Sequence, residues 1–273
     1  MRKTVTLVAL AILLSNVASA QTKPRRAMKV KLSPASADSS AASSAEVERI
    51  FQRFADALGD PRALRSVRSF VMRGILEVPE YGLHGTVEVY GKEPDRKLTV
   101  VNLPGRLGQR IEAVNGESGW GQTPFSQAFD LKRSADADRM DGEGVSSLAI
   151  RKNYTRLSVK GKMNVAGREV VMIAATRAGG QQLVLYFDTQ SGLLVRIDAA
   201  PKSKGDEHGP SISYFEGFAK VDGVVVPTVI RETGKEFSVV TRFYEVKFNV
   251  HIEDSLFERP KAAQPDAKSD SDK

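Results

Sequence analysis

The feature that most constrains this chain is its punctuation. From Ser69 onward, short runs rich in Val, Leu, Phe and Tyr are separated by dipeptides that favour tight turns. Asn115-Gly116, Ala166-Gly167, Gly179-Gly180 and Asp222-Gly223 each lie between two such runs, and Ser191-Gly192 sits in a slightly longer connection. Asn-Gly and Asp-Gly suit the primed turns, because both central residues tolerate positive φ. The runs span residues 86–90, 97–103, 109–114, 169–176, 182–188, 193–198, 211–218, 224–232 and 237–250. Consecutive hairpins make a meander, so the sheet they predict is antiparallel.

Some runs carry the signature of one buried face. Tyr244, Val246, Phe248 and Val250 alternate with Glu245, Lys247, Asn249 and His251, the period of a strand with one wet side. Leu183-Val184-Leu185-Tyr186-Phe187 is apolar on both faces, so that strand is covered on both sides or lines a cavity on one. Ahead of the strands the period changes. Ser43 and Glu46 have capping-box spacing. Val47, Ile50, Phe51, Phe54, Ala57 and Leu58 then form one helical stripe, which Gly59 and Pro61 end. This opening helix lays its Phe51 and Phe54 face on the sheet. A shorter helix is expected at 61–67 and a second covering helix at 145–154, with polar loops at 132–144 and 202–210.

The ends read differently. Arg2 and Lys3 precede an apolar run at 5–14, and Ala18-Ser19-Ala20 supplies the small residues of a cleavage site. This is the pattern of a signal peptide over 1–20, too short and too interrupted for a spanning helix. The expected compartment is the periplasm. Residues 21–43 read as a linker and 261–273 as a second disordered tail, leaving one domain at 44–260. The chain has no cysteine, so an exported protein of this kind is held by its core rather than by disulfides. Without Arg2 and Lys3, 38 basic residues face 33 acidic ones, a net charge of +5. The charges are interspersed, with no basic stripe interleaved with aromatics, which argues against nucleic acid as a partner.

Catalytic signatures are sparse. The three histidines, His84, His208 and His251, lack the i, i+4 spacing of a helical zinc site, and no thiolates complete one. There is no Gly-x-Ser-x-Gly elbow, no phosphate loop and no GxGxxG after a strand. A non-enzyme without cofactor or metal is the expectation; a hydrolase joining His84 or His251 to a serine and a carboxylate is the catalytic alternative. Trp120, with Phe125 and Phe129 nearby, suits either core packing or the wall of an apolar pocket.

One set of segments, taken in order, is familiar. It comprises Val47-Glu48-Arg49-Ile50-Phe51 with Ala57-Leu58-Gly59, then Ser69-Phe70-Val71-Met72-Arg73-Gly74, then Asn115-Gly116-Glu117-Ser118-Gly119-Trp120. Tyr186-Phe187-Asp188, Gly192-Leu193-Leu194-Val195-Arg196 and Val221-Asp222-Gly223-Val224-Val225-Val226-Pro227 follow, before a last strand running into Phe248-Asn249-Val250 and Phe257. The set resembles the LolA/LolB-like superfamily of outer-membrane lipoprotein-sorting proteins, in its uncharacterised exported bacterial branch. The resemblance implies an α+β, mainly β fold: a strongly curved antiparallel sheet, or incomplete barrel. An N-terminal helix and a second helical segment would cover its concave face, with an apolar cavity between. It further implies a non-catalytic carrier or binder of a lipid or lipoprotein acyl chain in the periplasm, expected as a monomer. The candidate lining residues are Phe51, Phe54, Val87, Val89, Leu98, Val100, Trp120, Leu185, Phe187 and Val195. The alternative is an envelope protein-interaction or stress-sensor module with a protein partner and no ligand transport.

Overall fold

The computed structural model describes residues 37–116, 118–131, 154–177, 179–201 and 209–260, with side chains from Ser44 onward. Two helices open the chain, α1 (Ala37–Ala57) and α2 (Pro61–Ser66). Six strands follow: β1 (Ser69–Val78), β2 (Leu83–Lys92), β3 (Arg96–Asn102), β4 (Gln109–Asn115), β5 (Ser118–Thr123) and β6 (Ser126–Asp130). Seven more are β7 (Tyr154–Val165), β8 (Arg168–Arg177), β9 (Gln182–Asp188), β10 (Leu194–Ala199), β11 (Ser211–Val221), β12 (Val224–Thr233) and β13 (Ser238–Phe248). All thirteen join one antiparallel sheet in the order β6-β5-β4-β3-β2-β1-β13-β12-β11-β10-β9-β8-β7. Two meanders therefore meet where the first strand pairs with the last. The sheet is open and not closed into a barrel, the curved, mainly β architecture expected from the sequence.

The turns form as their chemistry dictates. Ala166 and Gly167 (φ +50° and +83°) join β7 to β8, and Asp222 and Gly223 (φ +47° and +85°) join β11 to β12. Both pairs have the positive φ of a primed two-residue loop. Asp60 caps α2, its Oδ1 accepting from the Arg62 and Ala63 amides at 2.6 and 3.4 Å. Between the helices, Gly59 (φ +125°) lies so close to the β11–β12 turn that a Cβ would sit 2.0 Å from the Gly223 carbonyl oxygen. Only glycine fits there, and the Val225 amide donates to the Leu58 carbonyl at 2.7 Å. This contact pins the end of α1 to the sheet.

Four sequence readings need adjustment. The opening helix starts at Ala37, inside the segment read as linker, so Ser43 is not its first turn. The expected second helix at 145–154 lies outside the described residues, except that Tyr154 opens β7. The segment carrying β5 and β6 held no strand expectation beyond its turn. The alternation along β13 breaks at a bulge: Arg73 pairs with Glu245 and Gly74 with Phe243, leaving Tyr244 as the extra residue, 69% exposed. A bulge adds one residue to one strand, bends it and increases its twist, and period counting along a sequence does not register it.

Residues opposite one another across a ladder share a face, so the registers sort the side chains. One face, here the helix face, carries Leu183, Leu185 and Phe187 of β9, Ile173 of β8, Phe215 of β11 and Val226 of β12 under α1. Phe51 and Phe54 each meet the Phe187 ring edge-on at 5.4 Å. The same face of the β1–β3 region carries a second cluster of Leu76, Val78, Val87 and Val101 with Phe237 and Val239. On the opposite face, residues 249–259 leave β13 and cross β1 to β6. We call this segment the strap and the side it covers the strap face.

Candidate functional site

One cross-strand row organises the strap face. Lys247, Val71, Tyr90, Leu98, Ala113, Trp120 and Asp130 are successive partners across β13, β1, β2, β3, β4, β5 and β6. The strap runs along it. Ile252 and Phe257 press onto Val71, Leu98, Ala113 and Trp120, and Phe257 is fully buried. Polar contacts fasten the strap along its length. The Ser69 hydroxyl donates to the Val250 carbonyl at 2.6 Å, and the Lys92 ammonium donates to the Ile252 carbonyl at 2.8 Å. Asp254 receives Lys92 at 2.5 Å and Arg96 at 2.6 Å, which hold its carboxyl below the usual range. The Trp120 indole N–H donates to the Phe257 carbonyl at 2.9 Å. Arg259 closes the run on Asp130 at 2.7 Å and on the Ala128 carbonyl.

At the β13 end the strap does not fill the row. A hollow of about 380 Å³ remains, bounded by Val71, Arg73, Tyr90, Lys247, Val250, His251, Ile252, Glu253 and Leu256. That volume lies at the small end of the range of ligand sites. Its wall is largely apolar and its rim is ionic. The Arg73 guanidinium donates to Glu88 at 2.9 Å and to Glu245 at 2.5 Å, and these carboxylates push its pKa up. The Tyr90 hydroxyl donates to Glu88 at 2.5 Å; that bond and Arg73 hold Glu88 below the usual carboxylate value. Burial, then Glu88, raises Tyr90. Lys247 at 2.5 Å, then Arg73, lowers Glu245. His251 pairs with Glu253 at 2.6 Å. Paired in this way, Arg73, Glu88 and Glu245 keep their ordinary charged forms and Tyr90 stays neutral. None of the four has its pKa moved toward neutral pH, so the cluster is an ion-pair network and not a pair of groups poised to exchange a proton.

The ten residues expected to line one cavity fall into four groups. Phe51, Phe54, Leu185 and Phe187 meet under α1. Val87 and Val89 belong to the second cluster on the helix face. Leu98, Val100 and Trp120 lie beneath or beside the strap. Val195 packs with Val170 and Tyr186 on the far face of β10 from Ile197, because the register slips between Leu194 and Arg196 and breaks the two-residue period. None of the ten borders the hollow; Leu98 and Trp120 come nearest, in the same row. Trp120 is both core and wall, 6% exposed. The sequence reading missed the strap itself, whose only signal was Ile252, Leu256 and Phe257 in an otherwise polar stretch after the last strand.

His84 and His251 do not share a site. His84 stands beside Glu77 at one end of β1, while His251 follows β13 at the other. His251 borders the hollow with Val71 and Arg73, whereas His84 stands opposite Glu77 further along β1. His208 lies outside the described residues. Among the described residues, no group of three His, Cys, Asp or Glu could hold a metal ion, and no helix is long and apolar enough to cross a membrane.

No family model matches the chain, and no curated protein matches it. Solved structures do. A DUF1329 family protein from Desulfovibrio piger superposes with a TM-score of 0.56 at 15% identity, over 78% of this chain and 97% of its own. A LolA superfamily protein from Nitrosomonas europaea gives 0.53 at 16% identity, over 77% and 96%. The fold is LolA-like. A domain from Vibrio parahaemolyticus, named for outer-membrane lipoprotein sorting, gives 0.52 at 13% identity, over 77% and 94%. In this LolA-like sheet both edges are blunted. Arg259 covers the Ala128 carbonyl on β6, and β7 carries Lys160 and Lys162 around a register slip at Gly161. Such devices discourage strand addition at a sheet edge.

Proposed function

We propose that this chain is a non-catalytic carrier or binder of an apolar ligand, a lipid or lipoprotein acyl chain, in the bacterial periplasm. The observation that carries the reading is the hollow at the β13 end of the strap, walled by Val71, Val250, Ile252 and Leu256. The ligand's apolar chain lies there, with Leu98, Val100 and Trp120 continuing the surface beneath the strap. Each methylene taken from water into such a wall contributes about 0.8 kcal/mol. The rim pairs Arg73 and Lys247 with Glu88 and Glu245, so it offers no net charge to a ligand and leaves burial as the main source of affinity. Export is supported by Arg2, Lys3, the apolar run at 5–14 and Ala18-Ser19-Ala20. The LolA-like fold and the sorting function named for the Vibrio parahaemolyticus domain agree with that compartment and ligand class. Both blunted edges favour a monomer.

The test is uptake of a fluorescent fatty acid, cis-parinaric acid, with native mass spectrometry of protein purified from a lysate that contains membranes. Saturable uptake and a co-purified lipid mass are expected. Leu256→Glu places a charge in the wall at a side chain already 39% exposed, so the fold survives while uptake weakens by roughly tenfold or more. Protein recovered only as the bare chain, with no uptake of the probe, overturns the proposal.

A further inference from the structure

The hollow and the strap share one cross-strand row. From Lys247 to Trp120 that row crosses six strands, roughly 24 Å at their spacing. Its floor is apolar from Val71 onward: Tyr90 presents a ring, and Leu98, Ala113 and Trp120 follow. Only its Lys247 end is vacant. The remainder is occupied by side chains of the strap, Ile252 and Phe257, a single layer whose outward residues Glu253, Asp254 and Ser255 are exposed.

We infer that the hollow is the open end of an acyl-chain groove running from Lys247 to Trp120, and that Ile252 and Phe257 fill its remainder until a ligand displaces them. This rests on the reading of the hollow as the ligand site. The geometry suits exchange. An extended acyl chain matches an apolar row that crosses the strands one after another. The plug is two apolar side chains on one short segment, and no secondary structure beyond the turn Asp254–Phe257 has to unfold to lift it. Five of the nine residues bounding the hollow belong to the strap: Val250, His251, Ile252, Glu253 and Leu256. Whatever moves the strap therefore reshapes the hollow. Asp254 acts as the latch: its carboxylate engages both Lys92 of β2 and Arg96 of β3, and Lys92 holds the Ile252 carbonyl as well.

The chain has one tryptophan, and its indole N–H is bonded to the Phe257 carbonyl beneath the strap. Trp120 emission therefore reports the plug directly. Palmitate is titrated into the intact protein and into Asp254→Asn and Phe257→Ala variants, following Trp120 emission and its quenching by acrylamide, with native mass spectrometry counting bound palmitate. Binding to the unaltered protein is expected to shift the Trp120 emission maximum, because the indole N–H loses the Phe257 carbonyl and an acyl chain takes its place. Asp254→Asn is expected to reach the same end point at several-fold lower palmitate. Phe257→Ala is expected to show raised acrylamide quenching before any ligand is added and to lose it as palmitate fills the row. If palmitate binds by mass while Trp120 emission and quenching stay unchanged in all three proteins, the plug is overturned and the hollow stands as the ligand site. If no palmitate binds to any of them, both readings fail together.

Discussion

The strap face is covered in two ways, and the difference bears on which half of the sheet can lose its cover. Over β1 to β6 the central row is apolar, and a separate piece of chain covers it. Over β9 to β12 the corresponding row is Tyr186, Arg196, Tyr214 and Arg231, successive partners across four strands. That row covers itself. The Arg196 guanidinium lies 4.9 Å from the Tyr186 ring and 5.3 Å from Tyr214, and Arg231 lies 4.5 Å from Tyr214. Asp198 holds Arg196 at 2.6 and 2.8 Å and accepts the Tyr186 hydroxyl at 2.7 Å. On the other face the same half lies under α1. A cover made of long side chains from the sheet cannot leave without unfolding strands; a strap can.

The largest expected effect falls in the helix-covered half. Phe187 is 1% exposed and meets both Phe51 and Phe54. Phe187→Ala should cost about 3–5 kcal/mol, read as a lower urea midpoint with an unchanged slope. Phe257 is equally buried, so area alone predicts an equal loss. If the strap lifts as a local unit, the cost of Phe257→Ala is capped at the strap's own docking free energy and falls below the ~3–5 kcal/mol of Phe187→Ala. Hydrogen exchange would show residues 249–259 losing protection while β8 to β10 keep theirs. Equal global losses in the two variants would break the comparison.

Much of the fold was legible in the sequence, but not this contrast. The helix stripe, nine strand runs and the turn at Asp222-Gly223 follow from local periodicity and turn chemistry, which is why they were correct to within a few residues. The rows were not legible. Val71, Tyr90, Leu98, Ala113 and Trp120 become neighbours only through register, which depends on the length of every intervening turn. A one-residue slip would send each to the other face. Val195 is the instructive case: two residues before Ile197 it is expected on the same face, yet a bulge leaves it with Tyr186, away from the core beneath α1. The strap escaped because three apolar residues in a polar stretch have no period to detect.

Two buried carboxylates sharpen the comparison by titrating in opposite directions. Asp188, at the end of β9, is pushed up by burial. It is brought below the usual range because its Oδ1 accepts from the Ser191 and Gln190 amides at 2.6 and 3.0 Å and the Ser191 hydroxyl at 2.9 Å. Glu112, on β4, has Arg110 at 3.7 Å, and burial outweighs that attraction, raising its pKa to about 7. Burial also lowers Arg110. For Glu112 the folded chain keeps its proton where the unfolded chain has lost it. Stability therefore falls as pH rises from about 4.5 to about 7 and is level above that. At about 1.4 kcal/mol per pKa unit as a ceiling, and less once water enters, the fall is about 1–2 kcal/mol. Glu112→Gln should flatten that slope in urea titrations at pH 5 and pH 8. The Asp188 contribution runs the other way: it is present above the unfolded carboxyl value near 3.8 and is lost as pH falls through the lower folded value. An unchanged slope in Glu112→Gln would mean the carboxylate is solvated in the folded chain.

The smallest effect tests whether the Tyr–Arg row is a cover or an ornament. Arg196→Lys keeps the charge and a bond to Asp198, but an ammonium cannot lie flat between two rings as a guanidinium does. The loss should be about 0.5–1 kcal/mol, the range of a partly exposed cation–π contact. It should be insensitive to salt, because the contact is shielded by the rings, whereas an exposed ion pair weakens as salt rises. The useful readout is a double-mutant cycle with Tyr214→Leu. If the row is one stacked unit, Arg196→Lys costs distinctly less once Tyr214 is gone, since the guanidinium keeps only its Tyr186 ring and Arg231 has lost its own. If the two losses simply add, the arginines are ordinary surface charges. The rigidity of this half would then come from α1 alone, acting through Phe51 and Phe54 on the opposite face.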